Sequence, residues 1–233
     1  NQIIKKIKDI DNSLELELKE IKLIFDPMSL SIKAKTIGPK LSIRNKIIEI
    51  ENVKTQVSLR SLINDQFSFE NLEISTKSLK IKDLISFIRV INNTPELYFF
   101  EKITRKGYLI TDIKIDFDEK GKIKNNYSIN GLVKDLEINF FKKYSVEDLS
   151  FIFNFKNKQL ITKDISFKSN DLILSSKEIS VKKLENEFLV KGTIDNNKIS
   201  LSEKRIKELA NPFISNLDLK NITFSSKNIF SFV

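Results

Sequence analysis

Two reactive residue types are missing from the chain, since none of its 233 residues is a cysteine or a histidine. Without cysteine, neither a disulfide nor a thiolate metal site can form. Without histidine, the commonest general base and metal ligand is absent and a Ser-His-Asp triad is excluded. Only five glycines occur, and no G-x-G-x-x-G fingerprint or phosphate-binding loop is present. The sequence therefore predicts a protein without a metal or a cofactor.

Long apolar runs are also missing. The longest is as short as Leu97-Tyr98-Phe99-Phe100, whereas a membrane helix needs about 20 consecutive apolar residues. The chain begins with Asn1 and shows no signal-peptide pattern. We therefore expect it to be a segment of a longer protein whose membrane anchor lies outside this segment.

The chain carries a formal net charge of +9. A basic chain can be attracted to nucleic acid or to an anionic membrane surface. Here the lysines mostly alternate with apolar residues, as in Lys80-Ile81-Lys82. That alternation is typical of the solvated face of a one-sided sheet, so we expect no nucleic-acid partner.

A period of two organises the chain, most clearly between Gly107 and Phe155. Side chains on a strand point to opposite faces with that period. Each alternating run therefore predicts a strand with one apolar and one polar face. The residues predicted to share the apolar face of the central strands are Ile113, Ile115, Phe117, Ile129, Phe151, Phe153 and Phe155.

The turns recur at intervals of roughly 10 to 15 residues, which is typical of an antiparallel meander. We predict on the order of 14 to 18 strands, more than one twisted open sheet usually holds without curling. The predicted fold class is mainly β, a long curled antiparallel meander sheet with about three short helices. It forms one elongated segment, residues 1–233, with opening strands in 1–82, a short helical insert in 83–103 and a continuing meander in 104–233.

Local signals place the helices. Apolar residues at helical spacing follow Asp83, which we predict to be an N-cap. Thr94-Pro95-Glu96 combines a capping side chain, a proline at the first helical position and an acid in the first turn. A third helix is predicted from Ser202 to Ala210, with Glu203 and Lys207 as an i,i+4 pair.

Two further signals mark breaks between strands. The alternation slips by one residue at Lys19-Glu20, which predicts a bulge or a turn there. Asp118-Glu119-Lys120-Gly121 predicts a hairpin connection in which Gly121 is free to take a positive φ.

An apolar sheet face has three possible environments. It can pack on a second sheet or on itself as a closed core, as in a structural or assembly protein. It can be covered by helices, or it can curl into a trough that holds an apolar ligand.

The best case for an enzyme is the group of three carboxylates of Asp116, Asp118 and Glu119. Acids are common at hairpin turns, so we predict no catalysis.

Short motifs follow one another in the first 88 residues. The aromatic-Asp step Phe25-Asp26 ends a strand, and an x-I-x-A-x strand covers Ser31 to Lys35. The segment V-S-L-R-S-L from Val57 to Leu62 comes next, followed by the motif F-x-F-x-x-L-x-I from Phe67 to Ile74. In this order the motifs resemble the N-terminal strands of AsmA-like proteins of Gram-negative envelopes, the TamB and YhdP type of repeating β-groove protein. The remaining meander resembles the domain that follows in YhdP-like members.

The resemblance implies a repeating β-groove with an apolar trough for phospholipid acyl chains. It further implies a periplasmic location, attachment to the inner membrane through an anchor absent from this chain, and phospholipid transport between the two membranes that maintains the envelope. The alternative is a structural or assembly β-protein of the envelope whose apolar face is a closed core.

Overall fold

A computed structural model describes residues 13–59, 69–118, 122–140, 144–169, 172–185, 187–210 and 220–233 of the chain. Strands make up 71% of the structure, and they form one large antiparallel sheet that does not close on itself. The predicted fold class, a mainly β meander with a few short helices, is confirmed.

Among the described residues, fourteen strands and three helices are present. The strands are β1 (Leu14–Glu17), β2 (Glu20–Asp26), β3 (Ser31–Ile37), β4 (Lys40–Ile43), β5 (Lys46–Ser58), β6 (Phe69–Thr76), β7 (Leu79–Lys80), β8 (Thr104–Asp116), β9 (Ser128–Phe140), β10 (Tyr144–Lys156), β11 (Gln159–Ser169), β12 (Leu172–Lys183), β13 (Phe188–Ser202) and β14 (Asn221–Phe232). The helices are α1 (Ile81–Ile91), α2 (Pro95–Ile103) and α3 (Glu203–Ala210).

The strands pair in an order close to their order in the sequence. From edge to edge the sheet runs β2-β3-β5-β6-β8-β9-β10-β11-β12-β13-β14, and every pairing is antiparallel. The short strands β1 and β4 branch from β5, and β7 pairs with β8. Antiparallel neighbours need only short connections, so the regular spacing of turns in the sequence is sufficient to build this topology.

The helical insert lies between β6 and β8, which pair with each other. Helix α1 begins at Ile81, and its N-cap is Lys80, which makes no side-chain capping bond. The prediction of Asp83 as N-cap is therefore wrong, because the pairing of Lys80 with Tyr108 of β8 continues up to the start of the helix. Asp83 lies in the first turn, where an acid is favoured by the helix dipole.

The signals for the other two helices are confirmed. Thr94 caps α2, since its side chain accepts a hydrogen bond from the amide of Leu97 at 3.4 Å, and Pro95 begins the helix. Hydrogen bonds from its own amide and from Thr94 lower the pKa of Glu96. In α3, Lys207 Nζ lies 2.6 Å from Glu203 Oε1 as the predicted i,i+4 pair.

Both predicted breaks separate strands. The slip at Lys19-Glu20 is the boundary between β1 and β2, which pair with different strands, β4 and β3. After β8, the amide of Asp118 donates to the carbonyl oxygen of Lys122 at 2.9 Å, and the amide of Lys124 donates to that of Asp116 at 2.8 Å. This is the predicted hairpin. Gly121 lies outside the described residues, so its positive φ stays a prediction.

Asp26, at the end of β2, organises the turn into β3. Its Oδ1 accepts hydrogen bonds from the amides of Met28 at 3.1 Å and Ser29 at 3.3 Å, and its Oδ2 accepts one from Lys33 Nζ at 2.9 Å. These bonds, with that from Lys33 the strongest, lower the pKa of Asp26 from 3.8 to about 2. Because the pKa is lowered in the folded protein, the ionised carboxylate stabilises the turn fully above pH 3.8. That stabilisation is lost as the pH falls through about 2.

A closed hydrophobic core lies at the N-terminal end of the sheet. Helix α1 packs there against β5 and β7, and partly buried Val53 and Ile74 surround the contact. The buried members of this core are Leu14, Ile43, Ile48, Ile50 and Phe87. Phe87 is the contribution of the helix and is only 3% exposed. The core therefore fixes the helical insert on the sheet.

Replacing Phe87 by alanine tests this core. We expect Phe87→Ala to lower the free energy of unfolding by about 3–5 kcal/mol, because it removes a buried ring and leaves a cavity. Phe188→Ala is the matched control, since Phe188 is 55% exposed and its truncation should cost about 1 kcal/mol or less. Urea unfolding followed by circular dichroism measures both losses, and equal losses would contradict the packing of α1 described above.

Candidate functional site

One row of side chains crosses the sheet from edge to edge, perpendicular to the strands. Each member is the direct cross-strand partner of the next. The row consists of Ile21, Thr36, Val53, Ile74, Ile113, Ile129, Phe155, Leu160, Val181, Val190 and Phe232. We call it the apolar row, because Thr36 is its single polar member. Eleven strands spaced about 4.8 Å apart make it about 48 Å long, more than the ~30 Å of a bilayer's hydrocarbon core.

The apolar row is half open to solvent. Ile21 and Phe232, at its two ends, are 56% and 57% exposed, and the nine members between them are partly buried. If a second sheet packed on this face, it would bury most of such a row. The row is therefore a continuous apolar surface that the protein leaves accessible.

Three of the seven predicted face residues, Ile113, Ile129 and Phe155, are members of the apolar row. Phe151 and Phe153 precede Phe155 at intervals of two on β10, so they point to the same face. The rings of Phe151 and Phe153 lie 6.3 Å apart, centre to centre. The middle of the sheet thus presents a group of aromatic rings beside the row.

The remaining two predicted residues extend the same face toward the end of β8. Ile115 pairs with Leu72 of β6, next to the row. Phe117 follows β8, and its ring lies 6.1 Å from that of Phe69. The structure brings all seven side chains to one face, and their part in binding lipid stays a prediction.

A line of β-bulges runs through β9, β10, β11 and β13, four to eight residues along each strand from the apolar row. Asp135 in β9, Asp148 in β10, Asp164 in β11 and Lys198 in β13 have φ between +43° and +52° within their strands. The pairings shift register next to these residues. We call these four residues the bulge band. A bulge bends its strand and increases its twist, and bulges in successive strands curve a sheet.

Two glycines make room for aromatic rings on the apolar face. Gly131 pairs with Phe153, and Gly192 pairs with Phe230. A Cβ atom on Gly131 would lie 2.6 Å from two ring carbons of Phe153 and 2.6 Å from the carbonyl oxygen of Ile110. A Cβ atom on Gly192 would lie 2.9 Å from the ring of Phe230. Each glycine therefore lets a ring approach the backbone of the neighbouring strand.

Lysines gather at the turns next to the apolar row. Lys156 and Lys158 lie at the turn between β10 and β11, and Lys182 and Lys183 end β12. We call these four exposed residues the rim lysines. The amide of Lys183 donates to the carbonyl oxygen of Lys158 at 3.0 Å, so the two turns adjoin. Within the described part of the chain, none of the four forms an ion pair with a carboxylate. The strand ends and turns that carry the rim lysines can therefore attract an anion.

Two ion pairs form toward the opposite ends of the strands. Lys106 Nζ lies 2.7 Å from Glu137 Oε1, and Lys168 Nζ lies 2.8 Å from Asp148 Oδ2. The hydrogen bond that Lys106 donates to Glu137 raises the pKa of Lys106, and the one that Lys168 donates to Asp148 lowers the pKa of Asp148. These two lysines are thus neutralised by carboxylates, whereas the rim lysines are not.

The carboxylates that formed the best case for an enzyme take part in the turn. Asp116 Oδ2 accepts a hydrogen bond from Asn126 Nδ2 at 2.8 Å, and Asp118 Oδ1 accepts one from the amide of Lys122 at 2.9 Å. Glu119 lies outside the described residues. Within the ranges that the structure describes, no group of three or more acidic side chains is placed to hold a metal ion. The absence of enzyme activity stays a prediction.

Comparison with known proteins found no match, whether to a family model, a curated protein or a solved structure. The resemblance to AsmA-like proteins therefore stays a hypothesis that depends on the motifs in the sequence. None of the described helices has the length and apolar character needed to span a bilayer.

Replacing Gly131 by alanine tests the close approach of Phe153. In an ordinary strand such a change stabilises by about 0.5–1 kcal/mol. Here we expect Gly131→Ala to lower the free energy of unfolding by about 1–3 kcal/mol, because the new methyl group collides with the ring and with a backbone carbonyl. Gly192→Ala should cost less, since its nearest neighbours are side-chain atoms at 2.8 and 2.9 Å that can shift. Urea unfolding measures both, and a stabilised Gly131→Ala protein would show that the ring does not lie over Gly131.

Proposed function

We propose that this chain holds phospholipid acyl chains on its apolar face and forms part of a protein that moves phospholipid between the two membranes of a Gram-negative envelope. The observation that carries the proposal is the apolar row. It joins eleven strands into one apolar surface, and every member of it retains access to solvent.

The row suits a ligand that must slide. An acyl chain gains about 0.8 kcal/mol for each CH₂ group that it moves from water to an apolar surface. Because neighbouring strands present apolar side chains along the row, with Thr36 the one exception, that gain stays nearly constant as the acyl chain advances. A lipid can therefore move along the row without crossing a large barrier, and no covalent chemistry is required.

The rim lysines supply a complementary environment for the headgroup. A phosphate group at the edge of the sheet would lie next to Lys156, Lys158, Lys182 and Lys183, which are exposed. Hydrogen bonds between an ammonium group and a phosphate are among the stronger ones in proteins. The acyl chains would then lie on the row while the headgroup stays in water at the rim.

The place of the protein in the cell rests on the resemblance to AsmA-like proteins. We propose a periplasmic segment that is attached to the inner membrane through an anchor outside this chain. In that setting a row longer than a bilayer's hydrocarbon core would serve as one section of a longer path.

One observation favours the closed-core alternative for part of the face. Helix α1 packs beside Val53 and Ile74, two members of the apolar row. A structural or assembly protein would need such cover along the whole row, whereas the described helices cover it only near β5 and β6. The two functions therefore predict different behaviour for residues on β10, far from α1.

A lysine on the apolar face distinguishes the two functions. In a closed core Phe153→Lys would bury an unpaired charge and unfold the protein. On an open face the lysine can reach water, so we expect the melting temperature to fall by only a few degrees while lipid binding is lost. Ile152→Lys is the matched control, because Ile152 directly precedes Phe153 on β10, is 44% exposed and points to the opposite face.

Site-specific crosslinking tests lipid binding directly. A photoreactive residue in place of Phe155 should crosslink to phospholipid, and one in place of Asn154, on the other face, should not. Mass spectrometry of lipids that co-purify with the chain should identify the same species. Equal crosslinking from both positions, or a collapsed melting temperature for Phe153→Lys without any crosslink from position 155, would contradict the proposal.

A further inference from the structure

The helix pair α1–α2 exposes apolar side chains on the outside of the protein. Tyr98 is 49% exposed, Phe99 41% and Phe100 51%, and Ile88 and Ile91 of α1 are 37% and 39% exposed. We call these five residues the helix-pair surface. The rings of Phe99 and Phe100 lie 6.1 Å apart, centre to centre. Single exposed apolar residues are common, but adjacent exposed rings mark a surface that interacts with something other than water.

The helix-pair surface is held in place. Arg89 of α1 forms an ion pair with Glu101 of α2, and its guanidinium group lies 4.8 Å from the centre of the Tyr98 ring. Lys102 Nζ lies 5.4 Å from the same ring. Together with the Thr94 cap, these contacts fix α2 against α1. The aromatic rings are therefore presented by two helices that contact each other through these side chains.

The charge around these helices favours an anionic partner. Residues 80–106 contain six lysines and arginines and three aspartates and glutamates. Lys82, in the first turn of α1, and Arg105, in β8 directly after α2, are exposed. Tyrosine and phenylalanine next to lysine and arginine are typical of protein segments that lie in the interface of a membrane.

We propose that the helix-pair surface docks on an anionic lipid bilayer. The aromatic side chains would enter the headgroup region, and the surrounding cations would contact lipid phosphates. This inference goes beyond the proposed function, because it depends on the helices and not on the apolar row. It also has a consequence for that function: α1 packs beside Val53 and Ile74 of the row, so docking would bring the row close to the bilayer.

Vesicle flotation of the whole chain tests the docking. We expect the protein to float with vesicles made of phosphatidylcholine and phosphatidylglycerol in equal parts, and much less with phosphatidylcholine alone or at high salt. The triple variant Tyr98→Ser, Phe99→Ser, Phe100→Ser should partition roughly a hundredfold less, because three apolar side chains no longer enter the interface.

Two further variants make the test specific. The triple variant Ile110→Ser, Ile152→Ser, Ile173→Ser removes exposed apolar side chains (44%, 44% and 64% exposed) from the polar face of the sheet and should float like the original protein. Lys82→Glu with Arg105→Glu should weaken flotation with the anionic vesicles only. Circular dichroism establishes that each variant is folded.

Unchanged flotation of the aromatic triple variant would overturn the docking proposal. It would also be overturned if sedimentation showed a dimer that the same variant abolishes, since the surface would then join two copies of this chain. Crosslinking from position 155 to a short-chain phospholipid below its micelle concentration is independent of vesicles. If the original protein floats with vesicles but gives no such crosslink, the proposed function would be overturned and the docking would stand.

Discussion

The register of the sheet is the constraint on which the rest of the structure depends. Side chains alternate with a period of two, so a slip of one residue in any strand would move all of its apolar side chains to the other face. The eleven strands keep register closely enough for Ile21 at one edge and Phe232 at the other to belong to a single row. The bulge band preserves this phase, because each bulge inserts one residue and the apolar residues on either side stay on the same face. In β9, for example, Val133 and Leu136 flank Asp135 at a spacing of three.

The sequence was sufficient to predict the faces of the strands but not how the faces join. Alternation placed Ile113, Ile129 and Phe155 on apolar faces, and the order of turns predicted a meander. These three residues are direct cross-strand partners, and Leu160 and Val181 continue their line. Those pairings depend on the register of the strands, which turn geometry sets and alternation alone does not. The bulge band was missed, although its signal is present: spacings of three at Val133/Leu136, Val146/Leu149 and Thr162/Ile165 repeat the kind of slip that was recognised at Lys19-Glu20. Gly131 was missed because its role requires knowing which ring lies opposite.

The helices show a similar division between local and tertiary information. Thr94 was correctly identified as a cap because its signal is entirely local, a side chain bonding to an amide three residues on. Asp83 was misassigned because the strand pairing of Leu79 and Lys80 decides where α1 begins. The exposure of Tyr98 and Phe100 also had no local signature, since a run of four apolar residues does not show which side of the helix is covered. Only the position of the helix pair beside β8 shows that the sheet leaves these rings uncovered.

An open apolar face of this length carries a physical cost that the rest of the structure must limit. Exposed apolar surface favours association, and a long sheet edge can pair with another chain. The opposite face of the sheet counters this with alternating lysines and acids such as Lys54 and Glu73 of neighbouring strands, whose charged atoms lie 3.9 Å apart. The closed core under α1 buries apolar side chains at one end of the sheet. Backbone pairing between neighbouring strands extends the ordered sheet from there to β14. A ligand that covers the row would stabilise the folded state according to its concentration and affinity. If an acyl chain covers the row as we propose, stability and ligand occupancy would be coupled in this protein, because the ligand would shield the apolar surface that is most exposed to water.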